Sequence, residues 1–101
     1  MWLDGKGGRV MKYNAWSRER LVLGTKHLTS RKRKHHDPEV IYIVGPLPWH
    51  FIKKFLYRDE GAESPKELQE VINQIFSREV RDNEVFFVHF INPELALKGA
   101  E

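Results

Sequence analysis

The spacing of apolar positions changes along the chain, and each change marks an element. Residues 1–12, with Gly5, Gly7 and Gly8, carry no periodic apolar pattern and read as a flexible lead-in. A short helix is expected from Asn14 or Ser17, either of which can cap it, with Leu21, Val22 and Leu23 as its apolar contacts. Gly24 stands where that helix should stop, at the left-handed position that glycine takes without strain. Residues 25–34 read as extended, a strand running into Arg31-Lys32-Arg33-Lys34. Asp37-Pro38 is a turn signal, Val40 to Val44 is a β-branched run of strand type, and Gly45-Pro46 is expected to break it.

From Pro48 to Arg58 the residues Phe51, Ile52, Phe55 and Leu56 follow helical spacing, which predicts a second helix. Ser64-Pro65-Lys66-Glu67 is a capping box with Pro at the first helical position. Leu68, Val71, Ile72, Ile75 and Phe76 then recur on one side, so a third helix with one buried stripe is expected. Glu84 to Ile91 is apolar on both faces apart from His89, the pattern of a strand inside a sheet or barrel. The tail 93–101 carries no strong pattern. The composite is an α+β domain over 13–92, a small sheet or barrel with two or three flanking helices.

With 101 residues and no internal repeat, this is one domain. A chain of this size buries about 60–65% of its unfolded surface. An apolar fraction of 41%, including three Trp and six Phe, suffices for that core. The absence of Cys excludes disulfides and thiolate metal sites. No apolar run is long enough to span a membrane and the N-terminus lacks a signal-peptide stretch, so a cytoplasmic protein is expected.

The net charge of +3 conceals an asymmetry. Residues 1–58 hold thirteen Lys/Arg against four acids (+9), whereas residues 59–101 hold four against ten (−6). Part of this should cancel by pairing between the halves, leaving a positive face over the first. Such a face suits an anionic partner, although a basic run is as readily a solvated loop. Within it Gly24, Lys26, Thr29 and Arg31 stand at the spacing G-x-K-x-x-T-x-R. A glycine that releases the chain from a helix, then a cation, a hydroxyl and a second cation, suits a polar or phosphate-bearing ligand.

Further pieces follow in order: Glu60-Gly61, then Ser64-Pro65-Lys66-Glu67-Leu68, then Val85-Phe86-Phe87-Val88-His89-Phe90. Together with the basic motif they resemble the ASCH domain family, over roughly Tyr13 to Ile91. The resemblance implies a PUA-like β-barrel and a cleft suited to RNA or a modified nucleoside. ASCH domains usually follow the basic motif with a Gly-Asp turn and two strands. Here His36-Asp37-Pro38 and the single run Val40 to Val44 stand in their place, so a barrel abbreviated on one side and a more open cleft are expected. Small relatives of similar length hydrolyse the acetyl amide of N4-acetylcytidine. Their Lys, Thr and Glu fall on Lys26, Thr29 and Glu60, with Glu63 close by as an alternative.

Amide hydrolysis needs an activated nucleophile and an acid for the leaving amine. A Thr29 hydroxyl is inert until a base takes its proton. Lys26 would serve only if its pKa fell well below the roughly 10.4 of free lysine, by burial or through Arg31 and Arg33. Glu60 would then protonate the departing amine. On an ideal strand Thr29, Arg31 and Arg33 share one face, and Lys26 converges on Thr29 only if the chain bends. RNA binding asks less of the geometry. Gly24, Arg31, Lys32, Arg33 and Trp16 are the candidate ligand contacts, and each phosphate neutralised on a single strand contributes about 0.7 to the salt slope.

Trp16, Tyr42 and Trp49 are the aromatics available to stack on bases, with core packing expected for two of the three. The five His show no ligand spacing, and neither metal nor cofactor is expected. His89 reads as a hydrogen-bonded core or cleft-wall residue. A helix-turn-helix is disfavoured because its recognition helix would carry Glu67 and Glu70 against Lys66 alone. A protein-interaction module docking through the basic stretch is the remaining class.

Overall fold

The computed structural model describes residues 11–100. Helix α1 (Ala15–Leu23) starts at Asn14, whose side chain accepts the Ser17 N–H, and ends at Gly24 in the left-handed region. Strand β1 (Leu28–Arg31) is followed by β2 (Val40–Pro48), α2 (Trp49–Phe55) and α3 (Tyr57–Glu60). Helix α4 (Pro65–Phe76), strand β3 (Val85–Ile91) and α5 (Pro93–Ala100) complete the described chain.

The strands form one antiparallel sheet in the order β1-β3-β2. The central place falls to β3, the strand whose sequence is apolar on both faces. Strands β1 and β2 are both edges, so the sheet is open rather than closed into a barrel. Antiparallel partners share a face. Leu28 opposite Phe90 and Ser30 opposite Val88 point toward the helices, while Thr29 opposite His89 and Arg31 opposite Phe87 point the other way.

The helix-side core gathers Leu28, Trp49, Ile52, Leu68, Ile72, Phe86 and Val88. A smaller cluster of Met11, Tyr13, Leu21, Ile91 and Ala96 joins α1 and α5 at the far end of β3. Met11 is thus buried while Lys12 is exposed, so the lead-in expected over 1–12 is packed at Met11; residues 1–10 lie outside the described part.

Several elements depart from the sequence expectation for local reasons. Gly45-Pro46 does not break β2: a register shift between Val44 and Leu47 absorbs the extra residues, and pairing resumes at Leu47 opposite Phe86. The single helix expected over 48–58 is two, because Leu56 leaves helical geometry between α2 and α3. In α4 the capping box forms in part: the Ser64 hydroxyl accepts the Glu67 N–H, but the Glu67 carboxylate reaches back to the Glu63 N–H. Leu68, Val71 and Ile72 are buried, whereas Ile75 is 51% exposed at the end of the stripe. The patternless tail is helix α5, capped by Asn92, whose side chain accepts the N–H groups of Glu94 and Leu95. Asn92-Pro93-Glu94 was its legible start signal.

The charge asymmetry cancels in part by pairing across the halves. Arg20 pairs with Glu67, Lys26 with Glu60, Lys32 with Glu84 and Lys53 with Asp82.

Candidate functional site

After Gly24 the chain leaves α1 with Thr25 and Lys26 donating their N–H groups to the Arg20 carbonyl. The His27 N–H then bonds the Asp59 carbonyl at 2.7 Å, tying this turn to α3. The bend swings the Lys26 side chain inward, where it is 2% exposed. Its ammonium donates to the Glu60 carboxylate (Oε1, 3.0 Å) and to the Glu60 carbonyl (3.1 Å). The other carboxylate oxygen, Oε2, accepts the Ser30 hydroxyl at 2.5 Å, the length of a charge-assisted O–H···O bond. Lys26, Glu60 and Ser30 therefore form one buried hydrogen-bonded chain.

Gly61 closes this arrangement from behind. Its φ is +102°, and a Cβ there would stand 2.7 Å from Arg20 Cγ and 3.4 Å from Lys26 Cβ. Glycine at 61 thus lets the Arg20 stem pack against the turn that presents Glu60. The Arg20 guanidinium lies 4.3 Å from the centre of the Trp16 ring, and the Trp16 indole N–H donates to Glu67. Trp16 is held in place at both ends.

These residues line a cavity of about 270 Å³ that runs along the free edge of β1. Leu68, Val71, Ile72 and Phe76 of α4 form its apolar floor; Trp16 and Tyr13 stand in its wall. Lys26, Thr29, Ser30 and Glu60 supply its polar groups, and Lys12, Arg31, Lys32 and Arg33 its cations. The cations are not equivalent. Lys26 and Lys32 are paired to carboxylates, whereas Lys12, Arg31 and Arg33 form no ion pair with an acid among the described residues. Arg31 is aimed by neutral acceptors, the Thr29 hydroxyl at 3.2 Å and the Lys12 carbonyl at 2.7 Å, with its guanidinium 5.2 Å from the Tyr13 ring centre.

Two buried polar groups support this wall. Glu39 is fully buried; one carboxylate oxygen accepts the Met11 N–H and the Tyr13 hydroxyl, and the other has no partner among the described residues. Burial first, and then the Glu39 charge, hold the Tyr13 hydroxyl well above the usual phenol range, so it acts as a donor. His89 lies beneath the loop after β1. Its Nδ1–H donates to the Phe87 carbonyl at 3.0 Å and its Nε2 accepts the His35 N–H at 2.8 Å.

Burial pushes the His89 pKa down, and His35 and Arg31 add to the effect. Protonation would set an Nε2–H against the His35 N–H, donor against donor. The unfolded chain takes up this proton near pH 6.5 and the folded chain only below that. Stability from this site is thus complete above about pH 6.5 and is lost as pH falls through the folded value. Urea unfolding should give a lower midpoint at pH 5 than at pH 7.5, with the difference reduced in His89→Gln. The carboxylates held low by hydrogen bonds, Glu67, Asp82 and Glu84, act in a more acidic window.

The structure joins Lys26 to Glu60 directly and places Thr29, Trp16, Arg31, Lys32 and Arg33 around the same cavity. Glu63 is exposed and outside it, which separates it from Glu60. Gly24 is also outside the lining and serves to end α1. The Thr29 hydroxyl faces Arg31, not Lys26 and Glu60. Lys32 is committed to Glu84 and the Val85 carbonyl. Of the three aromatics, Trp49 alone is fully buried; Trp16 walls the cavity, and Tyr42 is 54% exposed, stacked on Phe90. Two of the three thus pack in or against the core, Trp49 within it and Trp16 on its flank, while Tyr42 on the edge strand β2 is left uncovered. Ser30, Tyr13 and Glu39 were missed. Ser30 was legible in part, since it alternates with Thr29 on the strand and so must face the helices if Thr29 does not.

Among the described residues no His, Asp and Glu gather in a group of three that would hold a metal, and no helix is long and apolar enough to cross a membrane. No family model, curated protein or solved structure matches the chain.

Proposed function

We propose that the chain binds a nucleobase-bearing ligand in the β1-edge cavity, either a modified nucleoside or single-stranded RNA presenting one. The observation that carries this reading is the buried Lys26–Glu60 pair opening beside Trp16 onto an apolar floor. A nucleobase is planar, apolar on its faces and polar at its edge. It stacks on an aromatic wall and exchanges hydrogen bonds with a fixed donor and acceptor. The volume of about 270 Å³ lies at the small end for ligand sites and suits one nucleoside better than a large cofactor. Lys12, Arg31 and Arg33, which have no acidic partner among the described residues, give the cavity the positive rim that a sugar-phosphate chain meets. On this reading the protein is an ASCH-like domain whose PUA-like barrel is reduced to an open sheet.

Binding is read by tryptophan fluorescence and calorimetry with cytidine, N4-acetylcytidine and a ten-nucleotide single-stranded RNA. Trp16→Ala should weaken binding about tenfold, the scale of one lost base stack. Arg33→Ala should flatten the salt slope for RNA by about 0.7 and leave nucleoside affinity nearly unchanged. Failure of all three ligands to bind folded protein would end this reading.

A second reading is favoured by the same Lys26–Glu60 contact: hydrolysis of the acyl amide of N4-acetylcytidine or a related acylated nucleoside. The pair holds a transferable proton inside the cavity, which a passive binding site does not need. Conversion of N4-acetylcytidine to cytidine, followed by ultraviolet absorbance, tests it, and turnover should vanish in Glu60→Gln.

A further inference from the structure

The resemblance to acyl-amide hydrolases gives the nucleophile's part to Thr29. The geometry points to a different hydroxyl: we propose that Ser30 is the nucleophile of this cavity, activated by Glu60. The inference rests on the hydrolytic reading above and names the atom that would carry it out.

The argument begins with the pleat. Thr29 and Ser30 are neighbours on β1, so their side chains leave opposite faces of the sheet. Ser30 shares the helix side with Leu28 and Val88, which is where the Lys26 turn and the end of α3 meet. Thr29 shares the other side with His89 and Arg31, and its hydroxyl oxygen already accepts the Arg31 Nε–H. Of these two hydroxyls, Ser30 is the one that sits on a carboxylate, 2.5 Å from Glu60 Oε2. A serine that merely satisfied a buried carboxylate would be sealed behind it, yet Ser30, Glu60 and Lys26 all line the cavity. The chain of contacts thus has a nucleophile, a base bonded to it, and a third group that orients the base.

The step balances with water as the only co-reactant. Ser30 Oγ adds to the acyl carbonyl carbon while its proton passes to Glu60 Oε2. The C–N bond breaks, the exocyclic nitrogen takes that proton from Glu60, and the free amine leaves an acyl ester on Ser30. Water then adds to the ester carbonyl and gives a proton to Glu60. The ester C–O bond breaks, Ser30 Oγ recovers the proton, and the carboxylic acid departs. Of the three N–H donors of the Lys26 ammonium, two are used on Glu60, which leaves one for the carbonyl oxygen as it gains charge.

The test is acid quenching of the wild-type protein during incubation with N4-acetylcytidine, then peptide mapping of the acetyl group by mass spectrometry. In parallel, turnover is measured for Ser30→Ala, Ser30→Cys and Thr29→Val, each with its melting temperature. Acetyl on Ser30, a fall of about 10³-fold or more in Ser30→Ala, acetyl-cysteine in Ser30→Cys, and the Ser30 adduct still forming in Thr29→Val are the expected results. Acetyl on Thr29, or undiminished turnover in folded Ser30→Ala, would overturn the proposal and leave the hydrolytic reading standing. If folded wild-type protein does not turn over N4-acetylcytidine, that reading fails for this substrate. The nucleophile is then judged with p-nitrophenyl acetate, where absence of acetyl-Ser30 would overturn the proposal as well.

Discussion

Replacing Lys26 by methionine should lower stability by about 3–5 kcal/mol, the cost of stranding one member of a buried ion pair. Lys26 and Glu60 are 2% and 5% exposed, and among the described residues the lysine is the carboxylate's one charged partner. Methionine keeps most of the stem volume, so the loss is electrostatic rather than a cavity. In a domain of this size each kcal/mol moves the melting temperature by about 4–8 °C, so the fall should exceed about 10 °C. Lys26→Met/Glu60→Gln removes both charges and should recover most of it, because a neutral pair in a buried site costs little beside a lone charge. Thermal unfolding of the two single variants and the double variant gives the coupling directly. A single variant within about 1 kcal/mol of wild type would show that water reaches the pair in solution. Loss of activity in Lys26 variants therefore has to be read beside their melting curves, which is why the nucleophile test uses Ser30 and a chemical adduct.

Helices α1 and α4 and the central strand were legible in the sequence because their signals are local. Asn14 and Gly24 bracket α1, Ser64-Pro65 opens α4, and the two-faced apolar run from Val85 to Ile91 marks the middle strand. Elements set by tertiary contact were not. Strand β2 continues past Gly45-Pro46 because β3 offers it partners on the far side of the irregularity, which no local propensity reports. Barrel closure was an expectation of the resemblance, whereas three strands with two free edges make an open sheet.

The same division holds at the site. That Lys26 and Glu60 belong together was legible only through the order of motifs, since 34 residues separate them and no spacing argument reaches that far. Which hydroxyl joins them depends on strand phase. A one-residue slip of β1 would turn Thr29 and Arg31 to the helix side with Glu60 and carry Ser30 to the opposite face. Nor does the place of Lys26 just after a helix end leave it at the surface: the bend after Gly24, held by the His27–Asp59 contact, turns the side chain inward.

Trp49→Ala should destabilise by about 3–5 kcal/mol, the range for deleting a fully buried large aromatic. Trp49 is 0% exposed at the start of α2, with its ring 5.4 Å from that of Phe86 on the central strand. Its indole N–H donates to Gln69 Oε1 at 2.8 Å, which ties α2 to α4. Trp49→Phe should cost much less, on the order of 1–2 kcal/mol, since it retains an aromatic ring against Phe86. The lost indole bond leaves no orphan, because Lys53 Nζ also donates to Gln69 Oε1 at 2.8 Å. Helix α4 carries Leu68, Val71 and Ile72 to the cavity floor, so Trp49 supports the ligand site without touching it. Chemical unfolding of both variants separates the effects: Ala should shift the midpoint severely and weaken cytidine binding, while Phe should shift it modestly and leave binding close to wild type. Equal losses in the two would place the energy in the Trp49–Gln69 bond instead of in the buried ring.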